Sequence, residues 1–223
     1  MKKLESSLKN MAIVLTTVSV VAGGLLGYVN ELTKEPIEQA NSKALSEAIK
    51  IVVPAFDNNP AAQPDTIEIG GNKYVVYKAT KNGEFVGAAV ESSANGFGGK
   101  LTVLVGFDKN GNIIDYSLLS HSETPGLGSK ANEWFKKGNK GNIVGMNPGE
   151  KTLTVSKDGG QVDAITASTI TSRAFLLAVN NAYAAYSGQN TDANSGASQQ
   201  VEASESETED ADSASNNEIT NKK

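Results

Sequence analysis

Residues 163–175 read DAITASTITSRAF, and five hydroxyl side chains fall within seven positions: Thr166, Ser168, Thr169, Thr171 and Ser172. Periodicity predicts an apolar helix behind them, from about 171 to 186. Its stripe would be Ala174, Phe175, Ala178, Val179, Ala182, Tyr183 and Tyr186. Two chemistries suit hydroxyls in that place. A Ser or Thr before a helix can accept bonds from the free N–H groups of the first turn. The same amides and the helix dipole attract an anion, so amides and hydroxyls together would suit a phosphate. A cap uses one or two hydroxyls, and five exceed that need.

Two further clusters have the composition of a site. HSETPGLGSK, residues 121–130, places His121 and Glu123 beside Thr124, a stiffening Pro125, Gly126, Leu127 and Gly128. Glycines there would let backbone approach a flat ligand; an ordinary turn with a satisfied histidine is the competing reading. NGFGGK, residues 95–100, sets Phe97 among Gly96, Gly98 and Gly99. It reads either as a hairpin loop or as a backbone platform under a ligand. There is no G-x-S-x-G, no P-loop and no G-x-G-x-x-G, so hydrolysis and nucleotide phosphate transfer lack their usual residues.

The elements that must position these clusters are legible from the pattern. Residues 11–29, MAIVLTTVSVVAGGLLGYV, carry no charge. As a helix they would span about 28 Å, close to the thickness of a hydrocarbon core. Lys2, Lys3 and Lys9 precede the stretch, which predicts a cytoplasmic N-terminus (1–10) and everything after the anchor outside. A cleaved signal peptide competes with this reading, although the span exceeds a usual signal core. Residues 31–53 read as an amphipathic helix with Pro36 in its first turn, ended by Pro54, so that 30–65 is helix plus linker. The period then becomes that of strands: 73–80, 84–92, 100–108 and 112–120. Asn82-Gly83 and Asn110-Gly111 supply hairpin turns between them. TLTVS (152–156) reads as a later strand and 131–137 as a short helix. The expected class is α+β: one membrane helix, then an antiparallel sheet with flanking helices over 66–188.

Composition narrows the function. With no cysteine, disulfides, thiolate clusters and cysteine nucleophiles are excluded, and His121 alone excludes a multi-histidine metal centre. A carboxylate site for Ca²⁺ or Mg²⁺ stays open, without a D-x-D-x-D-G loop to support it. The net charge of −5 conceals an uneven distribution. Residues 189–223 hold eight carboxylates against Lys222 and Lys223, a net of −6, so the preceding 188 residues carry +1. Nothing there forms a basic stripe for nucleic acid. The last segment, rich in Ser, Asn, Gln, Glu and Asp, reads as a disordered acidic tail.

Taken together, the three clusters resemble the FMN-binding domain family found in the G subunit of the Rnf electron-transport complex. A similar domain occurs in the sodium-pumping NADH:quinone reductase. The family's attachment motif runs Asp, two variable residues, Ser or Thr, usually Gly-Ala, then Thr; Asp163, Thr166, Ala167, Ser168 and Thr169 stand in those places. Ala167 replaces the usual Gly and Ser168 the usual Ala. Thr171 and Ser172 match the trailing hydroxyls, Glu123 to Gly128 match the family's E-T-P-G-L-G loop, and Gly96 to Gly99 resemble its aromatic-glycine loop.

The resemblance implies that Thr169 carries FMN as a phosphoester, installed by a flavin transferase that uses FAD. The other matching residues, Gly98 included, would surround the cofactor. It further implies an electron-carrying component of an ion-translocating ferredoxin:NAD oxidoreductase. That component would be anchored once in the bacterial inner membrane, with its domain on the extracytoplasmic side and other membrane subunits as partners. No further catalytic motif is present, which suits a carrier within a complex better than an independent enzyme. Two other readings stay open. One is the FMN-bearing component of the quinone reductase or a regulator with the same domain; the other is an anchored binding or scaffold protein without flavin.

Overall fold

A computed structural model of the chain describes residues 8–188. The acidic tail and the first seven residues lie outside the described residues. The chain divides after Leu45 into two compact units.

The described residues of the first unit are helical. The element α1 runs Leu8–Val52 without interruption, with Pro36 inside it. The sequence predicts an anchor over 11–29 and a separate amphipathic helix over 31–53 with Pro36 in its first turn, and the structure joins them. Proline removes one helical hydrogen bond, but the good helix formers around it carry the helix through. Along Met11–Val29 the large apolar side chains are exposed, among them Ile13, Leu15, Val18, Leu25 and Leu26. This is the one segment among the described residues long and apolar enough to cross a membrane. Lipid would cover such a surface at no cost to the chain.

The second unit is built on a five-stranded antiparallel meander, in order β1 to β5. The strands are β1 Asp65–Ile69, β2 Asn72–Lys81, β3 Glu84–Asn95, β4 Lys100–Asp108 and β5 Ile113–Ser120. Turn chemistry sets the register. At the β2–β3 turn Asn82 has φ 54° and Gly83 φ 82°, a two-residue turn with both residues left-handed, as Asn-Gly predicts. The Asn110-Gly111 connection is longer. Asp108 Oδ1 accepts from the amides of Asn110 at 2.8 Å and Asn112 at 2.9 Å. Strand β1, which the sequence pattern does not predict, pairs with β2 through a Gly70-Gly71 turn. It is short, and every one of its residues is partly or fully exposed, so it lacks an apolar pattern.

One face of the sheet packs on α3, Thr169–Ser187. Tyr74, Val76, Val90, Val103, Val105 and Phe107 from the strands join Phe175, Ala178, Val179 and Ala182 from the helix in one buried core. The opposite face meets the last turn of α1. Ile49 and Val52 are buried, and a Cβ on Gly106 would run into the Val52 backbone. The short helix α2, Ala131–Trp134, delivers Phe135 to the core, where its ring stacks on Phe175 at 4.3 Å and 5°. Tyr116 meets Phe175 edge-on at 4.8 Å and donates its hydroxyl to Ala131 O at 2.7 Å. Burial raises the Tyr116 phenol well above its ordinary pKa.

The expected strand at 152–156 is instead an extended stretch with a single parallel bridge, Val155 to Val162. A side chain takes the place of a neighbouring strand. Asn180 on α3 accepts from Leu153 N at 3.0 Å and donates to Leu153 O at 2.9 Å.

Phe175 joins helix, sheet and α2, so Phe175→Ala is expected to cost about 3–5 kcal/mol. That corresponds to a thermal midpoint lowered by roughly 10 °C. A circular-dichroism melt measures it, and a midpoint within about 2 °C of the parent would contradict this account of the core.

Candidate functional site

The hydroxyl run sits on a turn pinned from several sides. A 3-10 turn, Ser156–Asp158, ends at Gly159 with φ 78°. Ser156 Oγ donates to Asp163 Oδ1 at 3.2 Å, and Trp134 Nε1 donates to Asp163 O at 2.7 Å. Arg173, in the second turn of α3, forks onto Asp158 with bonds of 2.7 and 2.6 Å. Ile165 N donates to Ser172 Oγ at 2.9 Å, and that hydroxyl donates to Ser168 O at 2.9 Å.

The five hydroxyls therefore have different roles. Ser172 is fully buried and closes the 165–168 turn. Thr166 is exposed on that turn. Ser168 occupies the N-cap position but makes no side-chain cap bond. Thr169 is half-buried at the first helical position, and Lys157 Nζ lies 3.4 Å from its Oγ1. Thr171 is buried and donates to Glu123 Oε2 at 2.6 Å, a short bond of the kind a charged acceptor makes. Ahead of Thr171 the amides of 169, 170 and 171 head the helix, where no carbonyl four residues back receives them.

Glu123 ties the other two clusters to this one. It is only 5% exposed although it lies in a loop. Its Oε1 accepts from Gly98 N at 3.2 Å. The glycines around it are where the loops close. A Cβ on Gly128 would stand 2.6 Å from Glu123 Oε2 and 2.9 Å from Thr171 Oγ1, and one on Gly96 would strike Glu123 Oε1. Gly126 differs: its φ is 75°, nothing stands near its missing side chain, and it serves the turn, where Ser129 Oγ accepts its amide at 2.9 Å. His121 Nδ1 accepts from Glu123 N at 3.3 Å.

These segments enclose a cavity of about 430 Å³, lined by Phe97, Glu123, Thr124, Leu127, Gly128 and residues 167–171. A volume of that size is in the range of a cofactor site. Phe97 is 70% exposed and Leu127 40%, so apolar surface stands open beside the cavity. Of the residues singled out in the sequence, Glu123, Thr124, Leu127, Gly128, Ser168, Thr169 and Thr171 share this lining. Gly98 joins it through its bond to Glu123, while Thr166, Ser172 and Gly126 lie off it. Lys157, Asp158, Arg173 and Trp134 support the site without being marked by any motif. Nothing in their spacing connects them until the 156–158 turn folds against α3.

Ala167 adopts φ 60°, a left-handed conformation that disfavours a side chain. The resembled motif carries Gly there, and the backbone supplies the reason.

A model of the FMN-binding domain family matches residues 96–184. Three relatives are each the G subunit of an ion-translocating oxidoreductase complex. To the one from Shewanella piezotolerans the chain is 35% identical over 191 residues, a match spanning 80% of this chain and 88% of that one. To the Vibrio cholerae protein it is 32% identical over 188 residues, covering 79% and 89%. To the Yersinia pestis protein it is 33% identical over 187 residues, covering 79% and 88%.

Two outcomes follow from the geometry of the turn. Ala167→Gly relieves the left-handed strain and is expected to stabilise the chain by about 1 kcal/mol, a midpoint raised by roughly 2–4 °C; a lower midpoint would contradict the strain. The second concerns pH. The Arg173 fork holds the Asp158 carboxyl below its ordinary value of 3.8. A depressed carboxyl contributes stability above its unfolded pKa and loses it as pH falls through the lower folded value. Asp158→Asn should therefore cost about 1 kcal/mol at pH 7, and the gap from the parent should close as pH falls below the ordinary carboxyl value of 3.8. Thermal melts across pH measure it, and a gap that persists unchanged in acid would remove the ion pair as its cause.

Proposed function

Because the chain belongs to the family of G subunits of ion-translocating oxidoreductase complexes, we propose that it is a membrane-anchored electron carrier whose FMN is esterified to Thr169. One observation carries the attachment. Of the run's hydroxyls, Thr169 alone combines a helix-start position, partial exposure and a place on the cavity lining, with no structural bond that esterification would break beyond the long contact from Lys157.

The residues present fit such a group. The free amides of 169–171 and the helix dipole would attract a phosphate on Thr169. Phe97, Leu127 and Ile170 offer apolar contact for a flat ring, and the Gly128 backbone lies against Glu123 without a side chain between. FMN, when bound, supplies the redox chemistry. The chain's own contribution is position and field. Thr169 fixes the phosphate end, Ser172 and Arg173 fix the turn that holds Thr169, and Glu123 presents a carboxylate at the cavity wall. Esterification would form a bond between Thr169 Oγ1 and the FMN phosphorus while the pyrophosphate bond of FAD breaks, AMP leaving and the hydroxyl proton being released. A flavin transferase drawing on FAD is the expected catalyst.

The lysines ahead of Met11 favour an N-terminus in the cytoplasm. The domain would then face the extracytoplasmic side of the bacterial inner membrane and exchange electrons with the other membrane subunits of an Rnf-type complex. Similarity to the G subunits favours this setting over the quinone-reductase one.

Thr169→Val keeps the side chain's volume and removes the acceptor hydroxyl. It is expected to abolish covalent flavin while leaving the domain folded. In-gel flavin fluorescence after denaturation measures this. A fluorescent Thr169→Val band would exclude Thr169 as the attachment residue.

A further inference from the structure

We propose that Lys157 is the counter-ion of the phosphodiester on Thr169, and so positions the phosphate end of the cofactor; this rests on the reading that Thr169 carries FMN. No motif marks Lys157. Its ammonium lies 3.4 Å from Thr169 Oγ1, a long contact for a neutral hydroxyl but a short one for what would replace it. An ester at Oγ1 places the two phosphate oxygens that share the phosphodiester's single negative charge two bonds from an atom that Lys157 already reaches.

Three features make that placement more than the chance reach of a surface lysine. The backbone of Lys157 is held in a closed turn, with Asp158 N donating to Val155 O at 2.9 Å and Gly159 N to Ser156 O at 3.2 Å. The neighbouring guanidinium, Arg173, is paired through Nε and Nη2 with both oxygens of Asp158, so its charge is already balanced by a carboxylate. The cavity itself holds a buried carboxylate, Glu123, which repels a second negative charge. A cation stabilises an anionic phosphodiester beside that carboxylate, and Lys157 reaches Thr169 from outside the lining residues. Two other carboxylates also feel this ammonium or lie close by. Asp158 is drawn down partly by Lys157, and Asp163 is exposed and bonded to Ser156 Oγ.

The test compares the full-length chain in detergent, made with and without a flavin transferase, as parent, Lys157→Gln and Lys157→Arg. Flavin fluorescence reports unfolding of loaded molecules alone, and circular dichroism reports the unloaded chain. The expected result is a midpoint about 1–3 °C lower for Lys157→Gln in the loaded form, a smaller drop in the unloaded form, where only the attraction to Asp158 and the contact with the Thr169 hydroxyl are lost, and a parent-like Lys157→Arg. The gap should vanish in about 1 M salt, which screens a partly exposed pair. An equal effect in both forms, or none in the loaded form, would overturn the counter-ion role. Should Lys157→Gln take up no flavin, labelling restored in Lys157→Arg supports the charge, and labelling still absent overturns it. A parent chain that carries no flavin after maturation would instead sink the reading of Thr169, whatever Lys157 does.

Discussion

The bond between Thr171 and Glu123, buried and 2.6 Å long, fixes where the site can be. A carboxylate removed from water must be compensated by hydrogen bonds, and leaving it unpaired costs several kcal/mol. Glu123 offsets that cost with the Thr171 hydroxyl and the Gly98 amide. Those two donors come from α3 and from the β3–β4 loop, so satisfying one side chain brings three distant segments together. The glycines follow from the same constraint. Side chains at Gly96 or Gly128 would occupy the space that the carboxylate fills.

With the segments fixed, the crowded hydroxyls separate by task. Ser172 replaces a backbone partner for Ile165, Thr171 offsets part of the cost of Glu123, and Thr169 is left facing the cavity. The turn before the helix is held by side chains rather than by a strand. Trp134 and Ser156 grip Asp163, while Arg173 reaches back to Asp158. A tether needs such a base: a covalent bond to a mobile turn would position a cofactor poorly.

Much of this is legible in the sequence because strand alternation and Asn-Gly turns are local signals. The β2–β3 turn has the conformation its residues require, and the three clusters meet where their shared chemistry suggests. Strand β1 is hidden in the sequence because an exposed edge strand lacks apolar alternation, although Gly70-Gly71 gives a turn signal. The stretch 152–156 resembles a strand since its Leu153 and Val155 are buried alternately, yet its backbone is paired by the Asn180 side chain at Leu153 and by Val162 beyond it. Pro36 resembles a helix start because its fixed φ suits a first turn as well as it tolerates an interior. The supporting charges Lys157, Asp158 and Arg173 are invisible in the sequence because their meeting depends on a turn that only the tertiary fold closes.

A covalent flavin on Thr169 of an anchored domain is the centre of this account, and mass measures it most directly. The chain purified from its own cells is weighed intact and then as peptides. The prediction is an added mass equal to FMN less one water, carried by the peptide that contains residues 163–173 and lost in alkaline phosphodiester cleavage. An unmodified intact mass, or the same increment on a peptide without Thr169, would contradict it.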